Sequence, residues 1–149
     1  MSGTTAKSWT QIVHVRDDVR TGALSLQEFA ADLFDVVNRT GKRPIYEDPS
    51  KFFSLSYATS AQRDIAAATA ERLRGKSDKA IRQLELTYGG GKTHTLVTLT
   101  HLFRDPGILP DLPAVKEFKA AMGGQPLKAR IAAVCFDFGA VRVVGGDDM

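Results

Sequence analysis

The stretch IRQLELTYGGGKTHTLVTL, residues 81–99, predicts a β-strand, a glycine-rich turn and a helix, in that order. This order is the layout of a phosphate-binding loop. The three glycines at 89–91 have no Cβ to obstruct a phosphate, and they reach backbone conformations that are closed to other residues. Their N–H groups can converge on an anion at the positive end of the following helix. The stretch therefore predicts a phosphate site at the start of a helix.

Lys92 and Thr93 follow the glycines, at the positions where such a loop carries its functional side chains. A lysine there reaches the outer phosphates, and a threonine hydroxyl is a ligand for Mg²⁺. The match to the pattern G-x-x-x-x-G-K-[ST] is incomplete, because Leu86 occupies the position of its first glycine. The alternative is a glycine-rich turn between a strand and a helix, followed by an ordinary surface lysine.

Composition narrows the class of protein. The chain has 149 residues, of which 43% are apolar and 25% are charged, as in a soluble globular domain. A net charge of +3 without a basic cluster gives only weak support for nucleic-acid binding. Cys135 is the single cysteine, so disulfide frameworks and cysteine-based zinc sites are excluded. No apolar run of membrane length and no signal-like N-terminus is present, so we expect a cytoplasmic protein without membrane contact.

Hydrophobic periodicity and helix caps predict the elements around the loop. The predicted helices cover about residues 26–37, 61–74, 92–103 and 113–122, with a helical turn at 48–53 and strands at 79–87 and 129–137. We therefore predict an α/β fold, namely a partial three-layer fold of the P-loop NTPase type, with parallel strands and flanking helices. A mostly helical segment, residues 1–78, precedes the strand-loop-helix region, residues 79–149. One single compact domain is the alternative.

Two further residues are candidates for the chemistry of nucleotide hydrolysis. Asp137 follows four apolar residues at the end of a predicted strand, which is the form of a Walker B acid that holds the magnesium shell. Phe138 follows it, where AAA-type ATPases commonly carry a glutamate base, and the alternative is a buried strand that ends in an exposed aspartate. His94 is predicted either to contact phosphate or its magnesium waters, or to be a histidine on the helix surface.

The segment YGGGKTHTL, residues 88–96, with His101 and Leu102, resembles the loop of a family of large bacterial AAA-like ATPases, domain of unknown function 499. Upstream segments also resemble the N-terminal portion of that family, so the resemblance covers roughly residues 15–137. These segments are 19–22, 28–33, 46–49 and 52–53. Members are far longer and place Walker B, sensor and arginine-finger elements downstream. The resemblance therefore implies that this chain is the N-terminal part of such an ATPase.

The resemblance also implies the cofactors, the site and the partners. ATP and Mg²⁺ are the implied cofactors, and Leu86 is normal for the family. The nucleotide-binding residues are expected to be Tyr88, Gly89, Gly90, Gly91, Lys92, Thr93, His94 and Thr95, with Thr93 on the metal. Members tend to occur beside DNA-modification and phage-defence genes. The expected partners are therefore the rest of the ATPase, further copies of the chain, or proteins of a DNA-associated defence or modification system.

Three functions remain open at the level of the sequence. The first is a nucleotide-binding module that binds ATP–Mg²⁺ and hydrolyses it poorly or not at all. The second is a complete small P-loop enzyme, an NTPase or kinase, with Asp137 as the metal acid. The third is a non-enzymatic interaction module with a degenerate loop. ATP binding separates the third from the other two, and turnover separates the first from the second.

Overall fold

The computed structural model describes residues 8–22, 31–85, 89, 91–137 and 140–144. Contacts between Cα atoms divide the chain into two units, Met1–Ala30 and Ala31–Met149. In the first unit, the described residues form two single-turn helices, α1 (Trp9–Ile12) and α2 (Asp17–Arg20). Arg20 closes the second of these by pairing with Asp17 at 2.9 Å. The side chain of Trp9 is largely exposed.

The second unit is built mainly from helices. They are α3 (Leu33–Asn38), α4 (Pro44–Glu47), α5 (Pro49–Ser54), α6 (Ser60–Leu73), α7 (Lys92–Arg104) and α8 (Pro113–Ala121), with a 3₁₀ turn at Pro106–Ile108. Two strands follow, β1 (Ala133–Asp137) and β2 (Ala140–Val144). The helices predicted at 61–74, 92–103 and 113–122 and the helical turn at 48–53 are confirmed.

Local capping explains where these helices begin. The Asp48 side chain accepts hydrogen bonds from the N–H groups of Ser50 and Lys51, at 2.8 and 3.3 Å, and starts α5. At the start of α6, Thr59 and Gln62 form a capping box, in which each side chain accepts from the other residue's backbone N–H. Pro113 occupies the first turn of α8, where its missing N–H costs no hydrogen bond.

The core lies between α5, α6, α7 and α8. Its central members are large apolar side chains that are almost fully buried: Phe52, Phe53, Val97, Leu102, Val115 and Phe118. Ala66 and Ala70 present a flat face of α6 on which α8 packs closely. The rings of Phe53 and Phe118 join α5 to α8, with centroids 6.2 Å apart. Both phenylalanines of α5 are buried in this core, which fixes the position of α7.

The predicted α/β fold is wrong. Among the described residues the two strands form an antiparallel pair, with Ala133 opposite Val144 and Asp137 opposite Ala140. Only two residues separate β1 from β2, and such a short connection joins antiparallel strands, whereas parallel strands need a crossover of a dozen residues or more. The side chain of Val134 is 53% exposed, so β1 is not the buried central strand that the apolar run predicted. Helices, rather than a layered parallel sheet, bury the core.

The strand predicted at 79–87 is also corrected. Residues 79–85 form neither helix nor strand, and residues 86–88 lie outside the described part of the chain. Ile81 is 88% exposed, and its neighbours on either side are exposed as well. The alternation of apolar and polar residues there satisfies the pattern of a strand, but a strand also needs a partner to take its backbone hydrogen bonds.

The helix predicted at 26–37 does not run unbroken to residue 37, because residues 31 and 32 are not helical. Asp32 is extended, with φ of −118°, and its side chain accepts a 2.9 Å hydrogen bond from the N–H of Phe34. Aspartate competes for backbone N–H groups in this way and favours the N-cap over the helix interior. Helix α3 therefore starts at Leu33, and residues 26–30 of the predicted helix lie outside the described part of the chain.

The described residues contain no helix with both the length and the apolar character needed to cross a membrane. The division of the chain predicted between residues 78 and 79 remains a prediction.

Candidate functional site

The glycine-rich turn contains two described glycines, and both have left-handed backbone conformations. Gly89 has φ of +78° and Gly91 has φ of +80°. A Cβ built on either glycine would meet no atom within 4 Å, so the requirement for glycine comes from the backbone conformation and not from crowding. Both positions are exposed to solvent. Tyr88 and Gly90, the other predicted members of the turn, lie outside the described residues.

Gly91 is the N-cap of α7, and this position shapes the start of the helix. Its carbonyl accepts the first hydrogen bond of the helix from the N–H of Thr95 at 2.9 Å. The Thr95 hydroxyl donates to the same carbonyl at 3.0 Å. The first N–H groups of a helix have no acceptor within it, and glycine has no side chain to serve as a cap. The first turn of α7 therefore has the chemistry of an anion site.

The residues expected to hold phosphate and magnesium follow directly on this turn. Lys92 is the first residue of α7 and is exposed, whereas Thr93 is half-buried and Thr95 is buried. The structure thus brings Gly91, Lys92 and Thr93 together in one turn of helix. One hydroxyl from Thr93 fits the chemistry of Mg²⁺ that is bound mainly through a nucleotide, because Mg²⁺ keeps several waters and phosphate oxygens as ligands. Within the described residues, no group of three or more histidine, cysteine or acidic side chains could hold a metal ion.

His94 contacts the core of the protein. Its ring lies against Phe52 of α5, with centroids 4.7 Å apart and an interplanar angle of 34°. The side chain is half-buried, and this burial lowers the pKa of His94 below its usual value of 6.5. The sequence left open whether this ring contacts phosphate or covers the helix surface, and the structure adds an aromatic contact that neither prediction contained.

His94, His101 and Phe52 form an aromatic cluster, which the sequence analysis did not identify. The Nε2 of His101 donates a 2.7 Å hydrogen bond to the carbonyl of Tyr46, which can only accept. The ring lies 5.2 Å from the centroid of Phe52. Burial is the main cause that lowers the pKa of His101, with Arg104 and Arg39 adding to it, while the Tyr46 carbonyl and Asp48 act in the opposite direction. The seven-residue spacing from His94 was the available signal, because it places both rings on one face of the helix.

Three buried threonines complete the inner face of α7. The hydroxyls of Thr95, Thr98 and Thr100 donate to the carbonyls of Gly91, His94 and Leu96, at distances from 2.8 to 3.0 Å. Each hydroxyl is therefore satisfied within its own helix, as buried polar groups require. These buried hydroxyls therefore need no hydrogen-bond partner from another element.

Asp137, the candidate catalytic acid, lies on a different element. It is the last residue of β1 and stands opposite Ala140 in the hairpin register. β1 pairs with β2 and packs on α3. The structure therefore groups Gly91, Lys92, Thr93 and His94 in the first turn of α7, with Asp137 on the separate hairpin.

An apolar groove of about 470 Å³ lies between α7 and residues 129–134. Leu73 at the end of α6 and Leu96 near the start of α7 lie on its rim, and residues 129–134 form its far wall. Both leucines are partly exposed.

Comparison with known protein families identifies the class to which this chain belongs. Residues 7–135 match the family model described as the DUF499 N-terminal domain. Since this match covers most of the chain, the protein is a member of the DUF499 family, and the resemblance seen in the sequence is confirmed. Searches of curated proteins and of solved structures gave no significant match.

Proposed function

We propose that this chain is a nucleotide-binding module that binds ATP with Mg²⁺ through residues 89–93, as the N-terminal part of an AAA-like ATPase. The observation that carries the proposal is the start of α7: a left-handed glycine cap, Gly91, followed directly by the exposed Lys92 and by Thr93. A helix of 13 residues begins there, long enough for its aligned peptide dipoles to favour an anion at the first turn.

Lys92 and the helix start would act on the phosphates together. The N–H groups of the first turn bind phosphate oxygens as hydrogen-bond donors, and the lysine ammonium adds a mobile positive charge for the outer phosphates. Thr93 would supply a hydroxyl ligand to Mg²⁺, and the bound ion would neutralise phosphate charge. The loop segment, residues 88–96, lies within the range 7–135 that matches the DUF499 N-terminal domain, and this match supports the proposal.

Hydrolysis by this chain alone would be slow. Phosphoryl transfer needs an acid for the metal shell and a group that orients the attacking water, and arginines supplied in trans can add several orders of magnitude. Asp137 is the candidate acid, and the residue after it is Phe138, which cannot orient water as a glutamate would. We therefore propose that efficient turnover depends on partners: the rest of a longer ATPase, further copies of the chain, or proteins of a DNA-modification or phage-defence system.

Calorimetric titration with ATP and Mg²⁺ tests the proposal. The parent chain should bind, and Lys92→Ala should weaken the affinity by about 2 kcal/mol, or roughly 30-fold, the scale of one charge-assisted contact. Lys116→Ala is the matched control, since Lys116 is an exposed helical lysine whose partner is the surface residue Asp111. It should bind as the parent does. Absence of binding by the parent, or equal losses in the two variants, would refute the proposal and favour an interaction module.

A further inference from the structure

Phe52 lies between two histidines of α7. The side chain of Phe52 is 2% exposed, and the ring centroids of His94 and His101 are 4.7 and 5.2 Å from its own. Two turns of helix separate the histidines, so both rings lie on the same face of α7 and meet Phe52. The hydrogen bond from His101 to the Tyr46 carbonyl fixes the second of these contacts.

The element that carries Phe52 is itself held firmly. Asp48 caps α5, and the neighbouring Phe53 packs edge-on against Phe52 at 5.2 Å and reaches Phe118 of α8. The first turn of α7 is exposed at Gly91 and Lys92. The His94 ring is therefore a direct connection between this exposed turn and the buried core.

We propose that His94 is a positioning residue for the ATP loop: by packing on Phe52 it holds the first turn of α7, and with it Lys92 and Thr93, in the orientation that receives phosphate. The inference deepens the proposed ATP binding and rests on it. In this arrangement the imidazole acts through its flat aromatic face and not as a ligand of phosphate or of magnesium waters.

Two substitutions at residue 94 separate positioning from phosphate contact. His94→Phe keeps an aromatic face on Phe52 but can neither hydrogen-bond nor titrate. A positioning role therefore predicts that its affinity for ATP stays within about twofold of the parent. The measurement is made at about pH 8, above the ordinary histidine pKa. His94→Ala removes the ring, and its affinity should fall by about 3- to 10-fold, the scale of one aromatic pair. Circular dichroism on each variant shows that α7 is still folded.

Phe52→Leu tests the same contact from its other side. Leucine keeps most of the apolar volume and removes the ring, so the loss of affinity should not add to that of His94→Ala in the double variant. A loss of tenfold or more in His94→Phe at about pH 8, or full additivity with Phe52→Leu, would overturn the positioning role while leaving ATP binding intact. If the parent chain fails to bind ATP, both the proposed function and this inference fall.

Discussion

Replacing Gly91 with alanine should destabilise the protein because of one backbone angle. The φ of Gly91 is +80°, in the left-handed region, and a Cβ there meets nothing within 4 Å. The cost is therefore conformational only, about 1–2 kcal/mol for a residue with a Cβ in this region. Gly91→Asn should recover part of that loss, because asparagine enters the left-handed region more easily than alanine.

Gly107 provides the matched control for this substitution. It lies in the 3₁₀ turn, its φ is outside the left-handed range, and the nearest atom to a new Cβ is Asp105 Oδ1 at an ordinary 3.7 Å. Gly107→Ala should therefore be neutral or stabilising, by up to about 1 kcal/mol, since alanine restricts the unfolded chain. Urea unfolding followed by circular dichroism gives the free energy of unfolding of each variant. If Gly91→Ala is as stable as the parent, the left-handed cap is not maintained in solution, and the argument for the shape of the loop fails.

Three further results are expected. Phe118→Ala should lower the free energy of unfolding by about 3–5 kcal/mol, because it opens a cavity beside Phe53. Denaturant titration measures this, and a loss below about 1 kcal/mol would contradict the described core. The free energy of unfolding should fall as the pH drops below 6.5, because the pKa values of His94 and His101 are lowered in the folded protein and the unfolded chain therefore binds protons first. Thermal unfolding from neutral to acid pH measures this loss of stability. A flat profile in this range would contradict the burial of both rings. Phosphate release at saturating ATP should be far slower than the turnover of about one per second typical of complete enzymes, and fast release that disappears in Lys92→Ala and Asp137→Ala would favour a small complete enzyme.

The helices could be predicted because their signals are local. Asp48, the Thr59 and Gln62 pair, and Pro113 each act on backbone groups within three residues, so the sequence around them contains the whole interaction. Asp32 caps α3 in the same way, through the N–H of Phe34. The apolar periodicity continues across Asp32, so the sequence pattern did not indicate that the helix begins after it. The start of α7 at Lys92 was likewise readable from three glycines and the apolar pattern that follows them.

The strands could not be predicted in the same way, because a strand is defined by a partner. The run at 129–137 has the composition of a buried central strand, yet its neighbour is β2, a few residues further along the chain. Residues 79–85 have the alternation of a strand and no partner within the described structure. The aromatic cluster shows the same limit: the spacing of His94 and His101 indicates a shared face, but Phe52 lies 42 residues before His94 (94 − 52) and only packing brings it there.

Residues 79–83, in the connection between α6 and α7, give the chain a natural point of cleavage. They lack helix and strand and are exposed to solvent, which are the properties that proteases require. Many contacts bridge this point: α6 packs on α8, Arg63 pairs with Glu117, and the Arg104 guanidinium donates to the Val37 carbonyl at 2.8 Å. A cut here would leave two polypeptides that share one core and remain associated. The same geometry makes this connection a suitable place to divide the protein into separately expressed halves that reassemble.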